Sequence, residues 1–184
     1  MRVSDFFNKD IHPFVLGCFY SRFEISDSQI QTFTAYKKSE KIDANFAETQ
    51  GKYIEQLNKR SFENWTILSA TDTNFKACLT LENDLNLTES SFFNRLYYKI
   101  VNSTIIDSKT LTDSKMEFIR GFMETRGSID TQRELIAQDY FYHDSYLEVK
   151  KARLLFEYFD IPSSAMNLNF RQLQTVRFRA LSIP

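Results

Sequence analysis

The stretch Phe118-Ile-Arg-Gly-Phe-Met-Glu-Thr-Arg-Gly-Ser-Ile129 constrains this chain more than any other. It places Gly121 inside an apolar helical pattern in which Phe118, Phe122 and Met123 share one face. Glycine in a helix interior costs about 1 kcal/mol relative to alanine. The chain contains only 4 glycines among 184 residues. A glycine in such a position suits a site where a second backbone must come close, with no side chain between. Gly127 then stands where a helix ends, and Ser128 and Ile129 lead into an extended run.

The flanking pattern extends this reading. Thr112 is a good cap for a helix over Lys115 to Thr125, and Ser128–Thr131 with Leu135–Tyr142 reads as a β-hairpin. Ser145 to Asp160 is amphipathic, with Leu147, Leu154, Leu155, Tyr158 and Phe159 inward, and Pro162 bars its extension. Asn167–Phe170 and Thr175–Ile183 read as two further strands. The order from Thr112 is therefore helix, strand, strand, helix, strand, strand.

The first half reads less regularly. Pro13 opens a helix to Ser21, with proline in its first turn. Arg22–Ser26 alternates like a strand. Asp27 or Ser28 caps a polar helix through Lys41, and Ala44–Lys59 reads as another helix. Thr66–Ala70 and Phe75–Leu81 read as strands around the turn Thr71-Asp72-Thr73-Asn74. Thr88 starts a helix through Asn102, on which Phe92, Leu96 and Ile100 are four apart, and Thr104–Ser108 reads as a short extended linker.

At Phe118–Ile129 the chain resembles the LAGLIDADG homing-endonuclease motif, a helix with a central glycine and acids near its end, followed by Gly-Ser-Ile entering a strand. Leu154–Pro162 resembles that family's second helix, and the element order agrees. Phe14-Val-Leu-Gly-Cys-Phe-Tyr-Ser-Arg-Phe-Glu-Ile25 aligns with the same motif, Gly17 on Gly121 and Arg22 on Arg126. The two glycines lie 104 residues apart (121 − 17). The resemblance implies a mixed α/β fold, an antiparallel sheet packed against helices. It also implies a single DNA-recognition domain over 1–184, with pseudo-repeats expected at 12–105 and 110–184. The elements read between the two motifs do not follow the family's order well.

The resemblance also implies a chemistry, and this sequence departs from it. In active members, acids at the ends of the two helices hold divalent metal, which needs carboxylate oxygens. Here those positions are Arg126 and Arg22. A guanidinium repels Mg²⁺ but pairs with phosphate in bidentate fashion. Glu124 matches the motif's earlier acid, and Tyr20 is its counterpart. The expectation is therefore a non-catalytic double-stranded DNA binder, with no catalytic residues, no metal, no other cofactor and no small-molecule substrate. It would serve as the recognition domain of a restriction system or as a regulator, with catalysis supplied by other domains or subunits. Arg126 also admits a structural role, paired with Glu124 or a helix end.

The family reads base edges with alternate side chains of its sheet, where Arg and Lys match guanine and Asn and Gln match adenine. The expected DNA-binding residues are Arg22, Arg126, Gln132, Arg133, Gln138, Asn167, Asn169, Arg171, Gln172, Gln174, Arg177 and Arg179, with Asp130 also on a strand. Net charge is −1, against a generic nucleic-acid binder. What matters is placement: Ser163–Pro184 carries three arginines and no acid, whereas Glu82–Glu89 is acidic.

Other chemistries fit less well. Asp139 with Glu148-Val149-Lys150 has the letters of a second nuclease class, but two residues apart on a helix Glu148 and Lys150 diverge. His12 and His143 belong to no ligand-spaced cluster. Cys18 and Cys78 are too few for a disulfide framework and read as packed thiols. The N-terminus lacks a signal-peptide layout, and Phe14–Tyr20 is too short to span a bilayer, so the expected location is cytoplasmic. An active endonuclease and a protein-interaction domain without nucleic acid, using its 18 Phe and 9 Tyr, stand as alternatives.

Overall fold

The computed structural model describes residues 1–37, 46–72, 74–103, 105, 113–130 and 135–138. They form a mixed α/β fold in which a four-stranded antiparallel sheet carries helices on one face. The readings over Gln132, Arg133 and everything from Asp139 onward lie outside the described residues, as do Thr112 and most of Thr104–Ser108.

A short helix α1 (Val3–Asn8) precedes the glycine-bearing helix α2 (Pro13–Ser21). Strand β1 (Glu24–Ile25) and β2 (Gln29–Lys37) follow, then helix α3 (Phe46–Lys59), strands β3 (Thr66–Ala70) and β4 (Asn74–Glu82), and helix α4 (Glu89–Val101). From α2 to α4 the order is helix, strand, strand, helix, strand, strand, helix. This corrects the sequence reading of the first half. The segment expected as a polar helix after Asp27 is β2, hydrogen-bonded along its whole length to β4 from Gln29↔Glu82 to Lys37↔Asn74. The physical reason is period: Ile30, Thr32 and Thr34 are fully buried on one face, and the two threonines are β-branched hydroxyls that look polar in sequence. With that strand restored, the first half has the order that the second half shows in sequence.

The sheet order is β1-β2-β4-β3. Its inner face presents Ile30, Phe75, Ala77, Leu79 and Leu81 to the helices, joined in one core by Phe6, Phe19, Phe92, Phe93 and Leu96. Aromatic edges interlock there: Phe23 and Phe92 are 4.9 Å apart, Phe6 and Phe19 5.4 Å. Each buried ring contributes roughly 1.5–3 kcal/mol through burial alone. Thr88 caps α4 with a reciprocal hydroxyl arrangement involving Ser91. Helix α1 is not legible in the sequence as an element; Val3 and Phe6 anchor it in the core, and Ser4 hydrogen-bonds Asp84 through its backbone N–H and hydroxyl.

Helix α5 (Asp113–Arg126) runs into strand β5 (Gly127–Asp130), which pairs antiparallel with β6 (Leu135–Gln138). The same sequence of helix, strand, strand therefore occurs at α2-β1-β2 and α5-β5-β6. The cross-strand pair Ile25↔Ile30 has a counterpart in Ile129↔Ile136.

Candidate functional site

Helices α2 and α5 pack against each other at their glycines. A Cβ on Gly17 would overlap the carbonyl oxygen of Phe118 and sit 2.8 Å from the amide nitrogen of Phe122. A Cβ on Gly121 would overlap the carbonyl oxygen of Phe14 and sit 2.7 Å from its carbonyl carbon. One turn further on, the Thr125 hydroxyl donates to the Cys18 carbonyl at 3.4 Å. The two helices therefore run parallel, and their C-terminal ends lie side by side.

Strand β2 fastens both ends. The Thr32 hydroxyl reaches the carbonyl oxygens of Cys18 and Arg22, at 3.2 and 2.7 Å, at the end of α2. The Thr34 hydroxyl lies 3.3 Å from the Glu124 carbonyl oxygen and 2.9 Å from the Glu124 Oε1, at the end of α5, and 2.7 Å from the Tyr53 hydroxyl. Orphan carbonyls in a helix's last turn need such partners. Two buried threonines on one strand thus hold two helix ends at once.

The ionisable groups at these ends differ. Tyr20 is fully buried, with its ring 5.3 Å from Phe93, 5.9 Å from Phe118 and 6.4 Å from Phe122. Glu124 keeps part of its surface accessible. Its carboxylate end, however, is enclosed beneath β2, and that burial pushes its pKa up to about 7 against the opposing hydrogen bond from Thr34. Burial likewise pushes the Cys18 thiol well up, which keeps it inert. Arg22 is exposed at the C-cap of α2, and Arg126 is the last residue of α5. A cation at each helix C-terminus also complements the macrodipole.

These donors do not suit a divalent cation. The two helix ends fall at Arg22 and Arg126, Tyr20 is enclosed by rings, and the Glu124 carboxylate is engaged by Thr34. Among the described residues no group of three His, Cys, Asp or Glu is placed to hold a metal ion.

At the opposite end of the pair, Glu117 accepts from Arg60 Nε at 2.8 Å and from Arg120 Nη1 at 2.5 Å. Arg60 also stands 5.9 Å from the Phe14 ring centre and donates to Gln56. His12 Nδ1 accepts from the Phe14 amide and caps α2. This cluster ties α3 to the start of the helix pair and has no open coordination chemistry.

The outer face of the four-stranded sheet is a second surface, and sequence reasoning does not select it. Its rows run across the strands: Gln29 beside Glu82; Glu24, Gln31 and Thr80; Phe33, Cys78 and Thr66; Ala35, Lys76 and Ser69. Gln31 Nε2 donates to Thr80 Oγ1 at 3.0 Å, and the Lys76 ammonium lies 4.2 Å from the Phe33 ring centre. The acids gather at the Gln29 end and the lysine at the Ala35 end. The alternation of β4 is visible in sequence, but β2 reads there as a helix, so its outward residues carry no signal.

Of the twelve expected DNA-binding residues, Arg22 is described in full. Arg126 and Gln138 are placed by backbone, at the end of α5 and of β6. Gln132, Arg133, Asn167, Asn169, Arg171, Gln172, Gln174, Arg177 and Arg179 lie outside the described residues. Among the described residues no helix is long and apolar enough to cross a membrane.

No family profile matches the chain, and no curated protein matches it. Among solved structures it is similar to one described as mesophilic variants of the homing endonuclease I-DmoI, at 12% identity and a TM-score of 0.30, covering 84% of this chain and 96% of that one. A similarity of that size is too slight to bear on function.

Proposed function

We propose that this chain binds double-stranded DNA as a catalytically degenerate LAGLIDADG-like module, in which residues 12–105 and 110–184 are pseudo-repeats of one domain. The observation that carries it is the reciprocal approach of Gly17 and Gly121 in two parallel helices. Each helix feeds an antiparallel hairpin, and arginine stands where the resembled motif has its metal-binding acid. That arrangement supports recognition without metal chemistry. The module serves as the recognition part of a restriction system or as a regulator, with catalysis, where required, supplied by other domains or subunits.

Arg171, Arg177 and Arg179 are the proposed source of salt-dependent affinity, with Arg22, Arg126 and Arg133 joining them. A gel-shift series on random duplex pools at roughly 50 and 200 mM salt tests this directly. Each neutralised phosphate steepens the salt dependence by about one unit. The double variant Arg177→Ala, Arg179→Ala should fold normally and bind all duplexes more weakly. Retention of full affinity removes that surface from the proposal. Absence of binding at the lower salt shifts the function to protein interaction, for which Ile67, Leu68 and Tyr98 are exposed at 46, 50 and 63%.

A further inference from the structure

We propose that Thr34 and Glu124 form a proton-operated clasp: strand β2 grips the last turn of α5 when the Glu124 carboxyl carries a proton and releases it when the carboxyl is ionised. The clasp rests on the hydrogen bonds of this junction and stands apart from the DNA-binding reading.

Three oxygens surround the Thr34 hydroxyl, which is buried at 1% exposure. The Tyr53 hydroxyl lies 2.7 Å from it, Glu124 Oε1 2.9 Å and the Glu124 carbonyl oxygen 3.3 Å. A threonine hydroxyl has one hydrogen and two lone pairs, so it cannot serve both Glu124 oxygens fully at once. An ionised carboxylate only accepts, and a bond to it is roughly twice as strong as one between neutral groups. Ionised Glu124 therefore takes the Thr34 hydrogen, and the carbonyl loses it. A protonated carboxyl donates instead. Its hydrogen enters one lone pair of Thr34, the Tyr53 hydroxyl donates to the other, and the Thr34 hydrogen passes to the Glu124 carbonyl.

That carbonyl belongs to the last turn of α5, where the helix itself supplies no partner. Arg126 closes the same turn and Gly127 opens β5, so the grip lies just before the hairpin. The groups around the carboxyl let it change charge near neutrality. From α2 the Cys18 thiol feels its charge and is kept neutral by burial, and Tyr20 is packed among rings. From α3 comes Tyr53, through Thr34. Arg120, a turn earlier on α5, is engaged by Glu117, and Arg22 is exposed beyond the end of α2. Lys37 falls on the opposite face of β2 from Thr34, an odd number of residues on. Burial therefore outweighs the Thr34 bond and raises the Glu124 pKa to about 7.

The test is carbon NMR on the full chain with isotope-labelled glutamate, reading the Glu124 backbone carbonyl and side-chain carboxyl separately as pH is varied across neutrality. Both should titrate together with a midpoint at about 7. The carbonyl resonance should move downfield as pH falls, because it gains a hydrogen bond. In Thr34→Val the carboxyl should still titrate and the carbonyl should no longer follow it. Thr34→Ser, which keeps the hydroxyl, should restore the coupling. Glu124→Gln, whose amide donates as the protonated acid does, should hold the carbonyl at the parent's low-pH position throughout. Hydrogen-exchange protection of the last-turn amides of α5, corrected for the intrinsic rate, should fall about fivefold from low to high pH in the parent, the worth of one hydrogen bond, and stay constant in Glu124→Gln. A carbonyl that stays put while the carboxyl titrates overturns the clasp. So does one that still follows the carboxyl in Thr34→Val. Should Thr34→Val not fold, Glu124→Gln decides alone: a carbonyl at the parent's high-pH position overturns the proposal.

Discussion

Gly17 and Gly121 each rest against the backbone of the residue three positions before the other: Gly17 against Phe118, Gly121 against Phe14. The offset is the same in both pairs, 121 − 17 and 118 − 14, each 104. One contact becomes the other when the two helices exchange places, which is the signature of a local two-fold axis between them. The close approach cannot be relieved by rotating a side chain, because the atoms met are backbone.

Gly17→Ala and Gly121→Ala should therefore each destabilise strongly, by about 3 kcal/mol or more, beyond the usual range for added methylenes in a core. The helix-propensity gain of alanine, about 1 kcal/mol, opposes this and is too small to cancel it. Urea denaturation of each variant measures the sign. Gly51, on α3, meets nothing within 4 Å, so Gly51→Ala should hold or gain stability and serves as the control. Equal behaviour of all three variants would refute the close-approach account.

How far the sequence reveals this arrangement depends on which force sets each element. Pro13–Ser21, Thr66–Ala70 and the Thr88-capped helix are legible because a proline, a turn or a cap marks their boundaries. Strand β2 is not, since Thr32 and Thr34 are buried for their hydroxyls, and a burial pattern built from apolar residues misses them. Helix α1 is too short to show a period, and tertiary contacts at Val3 and Phe6 hold it. Two parts of the helix-pair site, its glycines and its terminal arginines, are visible as a motif. The Tyr53–Thr34–Glu124 chain is not, because it joins residues 19 and 90 positions apart in sequence.

The two glutamates on α5 should respond to pH in opposite senses. Glu124 is raised by burial from its ordinary 4.5 to about 7. Its protonated form is favoured in the folded state, so stability is highest below about pH 4.5 and declines as pH rises toward 7. The decline is at most on the order of 3 kcal/mol. Glu124→Gln should remove it and leave the variant more stable than the parent at pH 8, as thermal unfolding across pH 4 to 8 would show. An unchanged slope in the variant counts against enclosure of the carboxylate.

Glu117 behaves the other way. Its burial alone would raise its pKa, but hydrogen bonds from Arg120 and Arg60 outweigh that and hold it below its ordinary value of 4.5. Its stabilising contribution is present above pH 4.5 and is lost as pH falls through the lowered value. Glu117→Gln should cost about 1–3 kcal/mol near neutrality, because two partly buried arginines then face each other without a counter-ion. A double-mutant cycle with Arg60→Gln should show positive coupling of about 1 kcal/mol or more. Additive behaviour would reduce the cluster to a solvated ion pair.

Cleavage of DNA is not expected. On the proposed reading, a metal would be held by carboxylate oxygens opposed across the two helix ends. Arg22 and Arg126 occupy those ends, and Tyr20 is walled in by aromatic rings. Supercoiled and linear DNA incubated with the purified chain and Mg²⁺ or Mn²⁺ should remain intact. Glu124 is the acid to interrogate, since it lies in the last turn of α5 and burial raises its pKa to about 7. Nicking that needs metal and disappears in Glu124→Gln would restore an enzyme. Introducing acids with Arg22→Asp and Arg126→Asp asks the converse. If arginine at those positions is what excludes a divalent metal, the double variant should bind Mn²⁺ measurably more tightly than the parent by calorimetry. Were the parent to bind as well, the arginines would not exclude the metal.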